Sequence, residues 1–292
     1  MTATAADKVW LDYDQDELDR QYDQRSVVPD GDAYKAADAK ASAQARSETA
    51  CRLDISYSVT SDETLDVFPA TNPGSPILVF FHGGAWTRGS KSSESFIAPP
   101  LVAAGATVVL VEFTLCPAGT LAGMIEQCRR AVAWAHIHAD DINGDADRIV
   151  IAGHSSGSHL ASMMLVTDWA SPRMPHDLVK GCVITSGIYD LTPVRLTYRN
   201  KYLHLDDAAV QRLSPIKQIR PGLPPVALFY GGNELAEFRR QGRAFADALR
   251  AAGGTVSEQD LPGLNHFEMG RRLADAEGPV HKAALELMGL GV

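Results

Sequence analysis

The residue with the clearest chemical surroundings in this chain is Ser155, in the run Gly153-His-Ser-Ser-Gly157. A serine held on a strained strand-to-helix turn needs a glycine two residues away on each side so that backbones can pass. Of the serines in this stretch, Ser155 has both glycines; Ser156 and Ser158 do not. Before it lies Arg148-Ile-Val-Ile-Ala152, which reads as a buried strand. After it comes Ser158-His-Leu-Ala-Ser-Met-Met-Leu165, which can continue as a buried helix. Strand, G-x-S-x-G, helix is the context of a nucleophile elbow, and acyl transfer through a serine is the chemistry that context serves.

Acyl transfer also needs donors for the oxyanion. His82-Gly-Gly-Ala-Trp86 follows the apolar run Ile77 to Phe81, and paired glycines at a strand end let backbone N–H groups face a cavity without a Cβ between. The donors expected from this loop are Gly84 and Ala85, with Gly83 as the flexible approach and the N–H of Ser156 completing the hole.

A serine hydroxyl is a weak nucleophile at its own pKa and requires a base. Nine histidines are available. His136 and His138 point apart on a helix, His154 and His159 flank the elbow where they can pack or cap, and His176, His204 and His281 lie among polar neighbours. His266 differs, because Pro262-Gly-Leu-Asn-His-Phe267 is a turn-rich loop after the last alternating run, Thr255 to Leu261. In elbow hydrolases the chain order is serine, acid, histidine, which makes His266 the expected base. The orienting acid then belongs on the loop after Pro225 to Tyr230, where Glu234 and Glu237 stand. Glu234 is preferred because Glu237 falls where the next helix begins and favours its N-terminus; Asp260, six residues before His266, also competes. Trp86, Phe113 and Tyr189 follow strand ends or motif residues, and each is a candidate for lining an aromatic substrate pocket or for the core.

These residues need a frame. Short β-branched runs at Ile77 to Phe81, Thr107 to Val111, Arg148 to Ala152, Gly181 to Thr185 and Pro225 to Tyr230 read as strands buried on both faces of a parallel sheet. Helical spacing appears between them, at Leu121 to Ala135 and Phe238 to Ala252. The architecture expected is α/β, a mostly parallel sheet wrapped by helices on both faces. Ile55 to Val59 and Leu65 to Phe68 predict an antiparallel opening hairpin. Residues 1–50 are polar and acidic with scattered aromatics and read as a helical N-terminal arm on the core domain, 51–292. The stretch 187–219 has no single period and reads as an excursion roofing the site.

Composition narrows the partners. The chain has 292 residues, 45% hydrophobic, enough to bury one sizeable core. Its 27 Lys and Arg stand against 36 Asp and Glu, for a net charge of −9, which repels a phosphate backbone and argues against nucleic acid. The most apolar run, Leu101 to Val111, is interrupted by Gly105 and falls short of the ~20 residues of a membrane span. The acidic opening residues lack the basic and apolar parts of a signal peptide. Cys51, Cys116, Cys128 and Cys182 show no paired or metal-ligand spacing, so reduced cysteines and a cytoplasmic setting are expected. The expected partner is a small-molecule substrate, with a homodimer left open.

Taken in order, HGGAW, Ser95 to Pro99, Leu115-Cys-Pro117, Asp147 to Val150, GHSSGSHLA, Gly187-Ile-Tyr-Asp190, Leu213-Ser-Pro215, GGNELAEFRRQ and GLNHF resemble arylformamidase-like (kynurenine formamidase type) α/β-hydrolases. The resemblance runs from about residue 20 to the C-terminus. It implies the α/β-hydrolase fold, places nucleophile, acid and base on Ser155, Glu234 and His266, and puts the oxyanion loop on His82 to Trp86. Departures are Ser156 where a small residue usually follows the nucleophile, Glu234 where aspartate is common, and Ala85 where an aromatic often stands. The expected reaction is hydrolysis of an ester or N-acyl bond of a small aromatic substrate, with no cofactor and no metal. Two other readings compete: a carboxylesterase of the hormone-sensitive-lipase type, which usually has a third glycine at Ala85, and a non-catalytic ligand-binding homologue.

Overall fold

A computed structural model describes residues 7–170 and 174–291. Eleven helices accompany the sheet among them. The first two, α1 (Gln15–Arg20) and α2 (Gly31–Glu48), form the arm. They are followed by α3 (Ala98–Ala103), α4 (Leu121–Ile137) and α5 (Ser156–Leu165). Three short ones, α6 (Leu191–Arg195), α7 (Asn200–Leu203) and α8 (Asp207–Leu213), lie within the excursion, and α9 (Ala236–Ala251), α10 (His266–Gly270) and α11 (Pro279–Leu287) complete the set.

The eight strands form one sheet in the order β1-β2-β4-β3-β5-β6-β7-β8. Two make the antiparallel edge, β1 (Arg52–Ser56) and β2 (Thr64–Phe68). The remaining six run parallel: β3 (Ser75–Phe81), β4 (Thr107–Val111), β5 (Gly144–His154), β6 (Val179–Thr185), β7 (Val226–Gly231) and β8 (Val256–Leu261). Strand side chains alternate between faces, and both faces are covered here. Ile77, Val79 and Phe81 join Val109, Ile149 and Ile151 in a core with α4, α5 and α9. Their neighbours Leu78, Phe80, Val108 and Val150 join a second core with α3 and α11. Continuous apolar runs, rather than alternating ones, are the physical result.

The opening hairpin differs from expectation in extent. The strand expected over Ile55 to Val59 ends at Ser56; the Tyr57 N–H still meets the Glu63 carbonyl at 2.9 Å, but the chain then bends back, and Val59 is left 97% exposed at the hairpin tip. No helix among the described residues is long and apolar enough to cross a membrane.

The arm is docked at both ends. Leu18 and Tyr22 at α1 are fully buried in the first core. Helix α2 lies across the loop Lys91–Ile97, where Ser42 Oγ donates to the Ser93 carbonyl at 2.7 Å. At the C-terminal side of the chain, Tyr34 stacks on Phe267 with ring centroids 5.8 Å apart, and Asp38 pairs with Arg271.

Candidate active site

The turn after β5 is built around two glycines that nothing larger can replace. A Cβ on Gly153 would lie 2.3 Å from the Gly157 carbonyl oxygen, and one on Gly157 would lie 2.0 Å from that of Phe81. With β5 and α5 pressed this closely, Ser155 takes φ 56°, ψ −124°, a backbone conformation costly for a side-chain-bearing residue. Its N–H donates to the Thr185 carbonyl at 2.9 Å, locking the turn to β6. The hydroxyl is thereby set at the C-terminal edge of the parallel strands, where open α/β sheets offer a crevice.

Asn265 caps α10, accepting from the N–H groups of Phe267 and Glu268, while the Glu268 carboxylate accepts from the Asn265 N–H at 2.8 Å. This capping box fixes where the helix starts, and its first residue is His266. Nε2 of His266 lies 2.9 Å from Ser155 Oγ and Nδ1 lies 3.1 Å from Glu234 Oε2. Glu234 is itself held, its Oε1 accepting from the Ser186 hydroxyl and from the Gly231 N–H at 2.9 Å.

The competing carboxylates are engaged elsewhere. Glu237 pairs with Arg240 at 2.6 Å and accepts from the Tyr22 hydroxyl at 3.1 Å. Asp260 faces Arg239 and Arg243 at 3.4 and 3.7 Å. His154 packs beside His266, with ring centroids 4.8 Å apart, and its Nε2–H donates to the His266 carbonyl at 3.0 Å. Burial, with His266 as neighbour, pushes His154 down to about 3, so it is neutral at ordinary pH.

The loop after β3 approaches from the other side. Gly84, Ala85 and Trp86 have successive φ values of 118°, 55° and 62°, and a Cβ on Gly84 would sit 2.0 Å from the Arg88 carbonyl oxygen. The turn is closed by the N–H groups of Thr87 and Arg88 on the Gly84 carbonyl, at 3.1 and 3.0 Å. The Trp86 N–H donates to Ser156 Oγ at 3.3 Å, tying this loop to the elbow. Among the described residues, the N–H groups of Gly83, Gly84, Ala85 and Ser156 have no acceptor. Unpaired donors beside a serine hydroxyl can receive developing negative charge.

The aromatic residues expected at the pocket are core residues instead. Trp86 is 1% exposed, its indole N–H donating to His159 Nδ1 at 3.3 Å. Phe113 stacks on His82 at 4.3 Å, and Tyr189 stacks on Phe245 at 4.3 Å. None of the three lines the cavity that holds Ser155 and His266. Trp86 turns inward because the loop backbone carries it, by its positive φ, away from the mouth.

That cavity has a volume of about 500 Å³, within the range of small-molecule sites. Its aromatic walls are Tyr22, Phe96, Tyr198 and Phe267. The arm supplies Tyr22, Gln24, Arg25, Lys35 and Asp38, and the excursion supplies Tyr198 and Arg199. Glu94 also faces it, and burial pushes that carboxyl up to about 7. Sequence reasoning missed these residues. Tyr22 stood among the scattered aromatics of the arm and Tyr198 in a stretch with no single period, so neither pattern gave a direction for them.

Comparison with known proteins agrees with this architecture. Residues 78–269 match a family described as having the alpha/beta hydrolase fold. Kynurenine formamidase of Danio rerio is 33% identical over 297 residues, covering 96% of this chain and 98% of that protein. Esterase LipQ of Mycobacterium tuberculosis is 29% identical, covering 73% of this chain and 56% of its own. The solved esterase from the archaeon Pyrobaculum calidifontis superposes with a TM-score of 0.72 at 20% identity, covering 95% of this chain and 98% of its own, a likeness of fold. With a formamidase relative sharing a third of its residues along nearly its whole length, the chain belongs to the arylformamidase-like α/β-hydrolases and is a hydrolase of that fold.

Proposed function

We propose that the protein is a serine hydrolase that cleaves an N-acyl, formamide-like bond, or an ester, of a small aromatic substrate through an acyl-enzyme. The observation that carries this reading is His266 bridging Ser155 Oγ at 2.9 Å and Glu234 at 3.1 Å. In this reading His266 Nε2 takes the Ser155 proton as Oγ attacks the carbonyl carbon. Glu234 keeps the other proton on Nδ1 and stabilises the imidazolium that forms. The N–H groups of Gly84, Ala85 and Ser156 hold the tetrahedral oxyanion. His266 then returns its proton to the departing amine or alkoxide nitrogen or oxygen. Water, deprotonated by the same imidazole, attacks the acyl carbon, releasing the acid and restoring the serine.

Similarity to the formamidase and the aromatic walls of the cavity support an aryl formamide as substrate. Similarity to the esterase supports a second reading, a short-chain ester. A cytoplasmic setting accords with four unpaired cysteines, three of them buried. Turnover across matched aryl formamides, aryl acetates and longer acyl esters tests the assignment. The formamidase reading expects the formamide to have the highest kcat/KM; faster turnover of the acetates overturns it in favour of the esterase.

A further inference from the structure

Donors for one oxyanion must converge on one point, yet here they come from two segments far apart in the chain, the loop after β3 and the start of α5. Between Trp86 and Ser156 lie 70 positions. One residue fastens the first segment to the second. Each polar group of Trp86 is engaged: its N–H donates to Ser156 Oγ at 3.3 Å, its indole N–H donates to His159 Nδ1 at 3.3 Å, and its carbonyl accepts from the Cys116 N–H at 2.8 Å. Ser156 and His159 stand three positions apart on α5, so they share one face of that helix. The loop is therefore held by the same helix whose first N–H faces the cavity.

Ala85 and Trp86 both have positive φ, 55° and 62°. Two successive side-chain-bearing residues in that region are strained, and such a conformation persists only where its surroundings over-determine it. Trp86 is 1% exposed and meets the His159 ring edge-on, with centroids 5.4 Å apart. His159 is fully buried, and its Nε2–H donates to the Leu213 carbonyl at 2.7 Å. That bond fixes the tautomer and leaves Nδ1 as the acceptor that the indole needs. Burial pushes His159 down to about 4, so the accepting nitrogen persists at ordinary pH. Leu213 is the last residue of α8, and the Oγ of its neighbour Ser214 accepts from the N–H of Leu191, the first residue of α6, at 2.9 Å. The imidazole that holds the loop is thus itself set by the excursion.

Resting on the serine-hydrolase reading above, we propose that Trp86, the Ser156 hydroxyl and His159 form a positioning clamp that holds the Gly84 and Ala85 N–H groups where the transition-state oxyanion requires them. The three side chains act through the loop backbone rather than on the reacting atoms. Ala85 directly precedes Trp86, so a displaced Trp86 swings the donors away from the point where they converge with the Ser156 N–H. Binding of the ground state relies on the cavity walls Tyr22, Phe96, Tyr198 and Phe267, which the clamp does not touch. Its loss therefore weakens transition-state stabilisation and leaves substrate affinity in place.

The test separates those two kinds of binding. Trp86→Phe keeps an aromatic ring and removes the indole N–H, while Ser156→Ala removes the Oγ acceptor and keeps the main-chain N–H. The substrate is whichever of an aryl acetate and an aryl formamide wild type turns over faster, with rates expressed per fluorophosphonate-titrated site so that unfolded protein is not counted. On it, kcat/KM should fall about ten- to a hundredfold in Trp86→Phe and about three- to tenfold in Ser156→Ala. The Ki of a trifluoromethyl phenyl ketone, whose adduct with Ser155 places an oxyanion in the hole, should rise by the same factors. The Ki of methyl phenyl ketone, which stays planar and uncharged, should not move. His159→Asn, whose amide oxygen can take the place of Nδ1, should keep more kcat/KM than His159→Leu. Wild-type kcat/KM in both Trp86→Phe and Ser156→Ala overturns the clamp, and so does an equal rise in Ki for the two ketones, which marks a general disturbance of the cavity. Wild-type turnover in Ser155→Ala instead brings down the serine reading itself, and the clamp with it.

Discussion

Glu234 meets His266 with one carboxylate oxygen, at 3.1 Å from Nδ1, while its other oxygen is held by Ser186 and by the Gly231 N–H. Both oxygens are thus committed, and the imidazole has one orientation in which it also reaches Ser155. An acid arranged this way acts on tautomer and ring position more than on charge alone.

Glu234→Gln should therefore lower kcat by orders of magnitude, as the loss of an orienting carboxylate cost ~10⁴ in the serine-protease example. Asp260→Asn should change kcat little, because Asp260 faces Arg239 and Arg243. Glu237→Gln should show itself in a lowered Tm, since it leaves Arg240 and the buried Tyr22 hydroxyl with a weaker acceptor. Steady-state kinetics and melting curves on the three variants check the assignment, and near-normal kcat in Glu234→Gln would displace it.

In the proposed reading His266 accepts the Ser155 proton, so His266→Ala should lower kcat/KM by orders of magnitude. His154 is no substitute base, because burial, with His266 as neighbour, holds it down at about 3, far too weak to take a serine proton. By contrast, kcat/KM of His154→Gln should stay near wild type, measured by steady-state kinetics beside His266→Ala. A fluorophosphonate should label wild type once per chain and leave Ser155→Ala unlabelled, read by intact mass.

Gly157→Ala should damage the elbow even though the added group is a single methyl. Its Cβ would fall 2.0 Å from the Phe81 carbonyl oxygen, a rigid backbone atom. Overpacking of roughly 1–3 kcal/mol corresponds to a Tm lower by about 2–6 °C, and fluorophosphonate labelling should slow in the fraction that remains folded. Wild-type Tm and labelling together would show that β3 and α5 have room to part.

Glu94 gives a pH signature of stability. Burial raises it from an ordinary 4.5 to about 7, so the folded chain holds a proton that the unfolded chain releases. The stability this contributes is full below pH 4.5 and is lost as pH rises toward 7. The Tm of wild type relative to Glu94→Gln should fall across that window and level off above it. A constant difference across the window would mean that Glu94 ionises normally.

What the residues disclosed before folding was uneven, and for physical reasons. The elbow was legible because close passage of two backbones leaves no choice but glycine at 153 and 157. The sheet was legible because strands buried on both faces carry apolar runs without alternation, as β3, β4 and β7 do. Glu234 could be placed only by its distance from a strand end, since Glu237 has the same chemistry and differs in facing Tyr22 and Arg240. The pocket walls were not legible. An aromatic after a strand end points into the core or out of it by one backbone torsion, and Trp86, Phe113 and Tyr189 all point in. Tyr22, Gln24, Tyr198 and Arg199 reach the cavity by tertiary docking of aperiodic segments, a relation that no local pattern records.

The docking of α2 on α10 joins parts of the chain made far apart in time. Asp38 pairs with Arg271, 233 positions later, and the Tyr34 ring waits for Phe267. At ribosomal rates of 5–20 residues per second, the arm emerges roughly 10–50 s before its partners exist. During that interval α2 has the loop Lys91–Ile97 to lean on, through Ser42 and the Ser93 carbonyl, while the face that later meets α10 stays solvated. The loop carrying His266 and the C-terminal seat of the arm then arrive together, so the cavity gains His266 and Phe267 in the same last stage of synthesis.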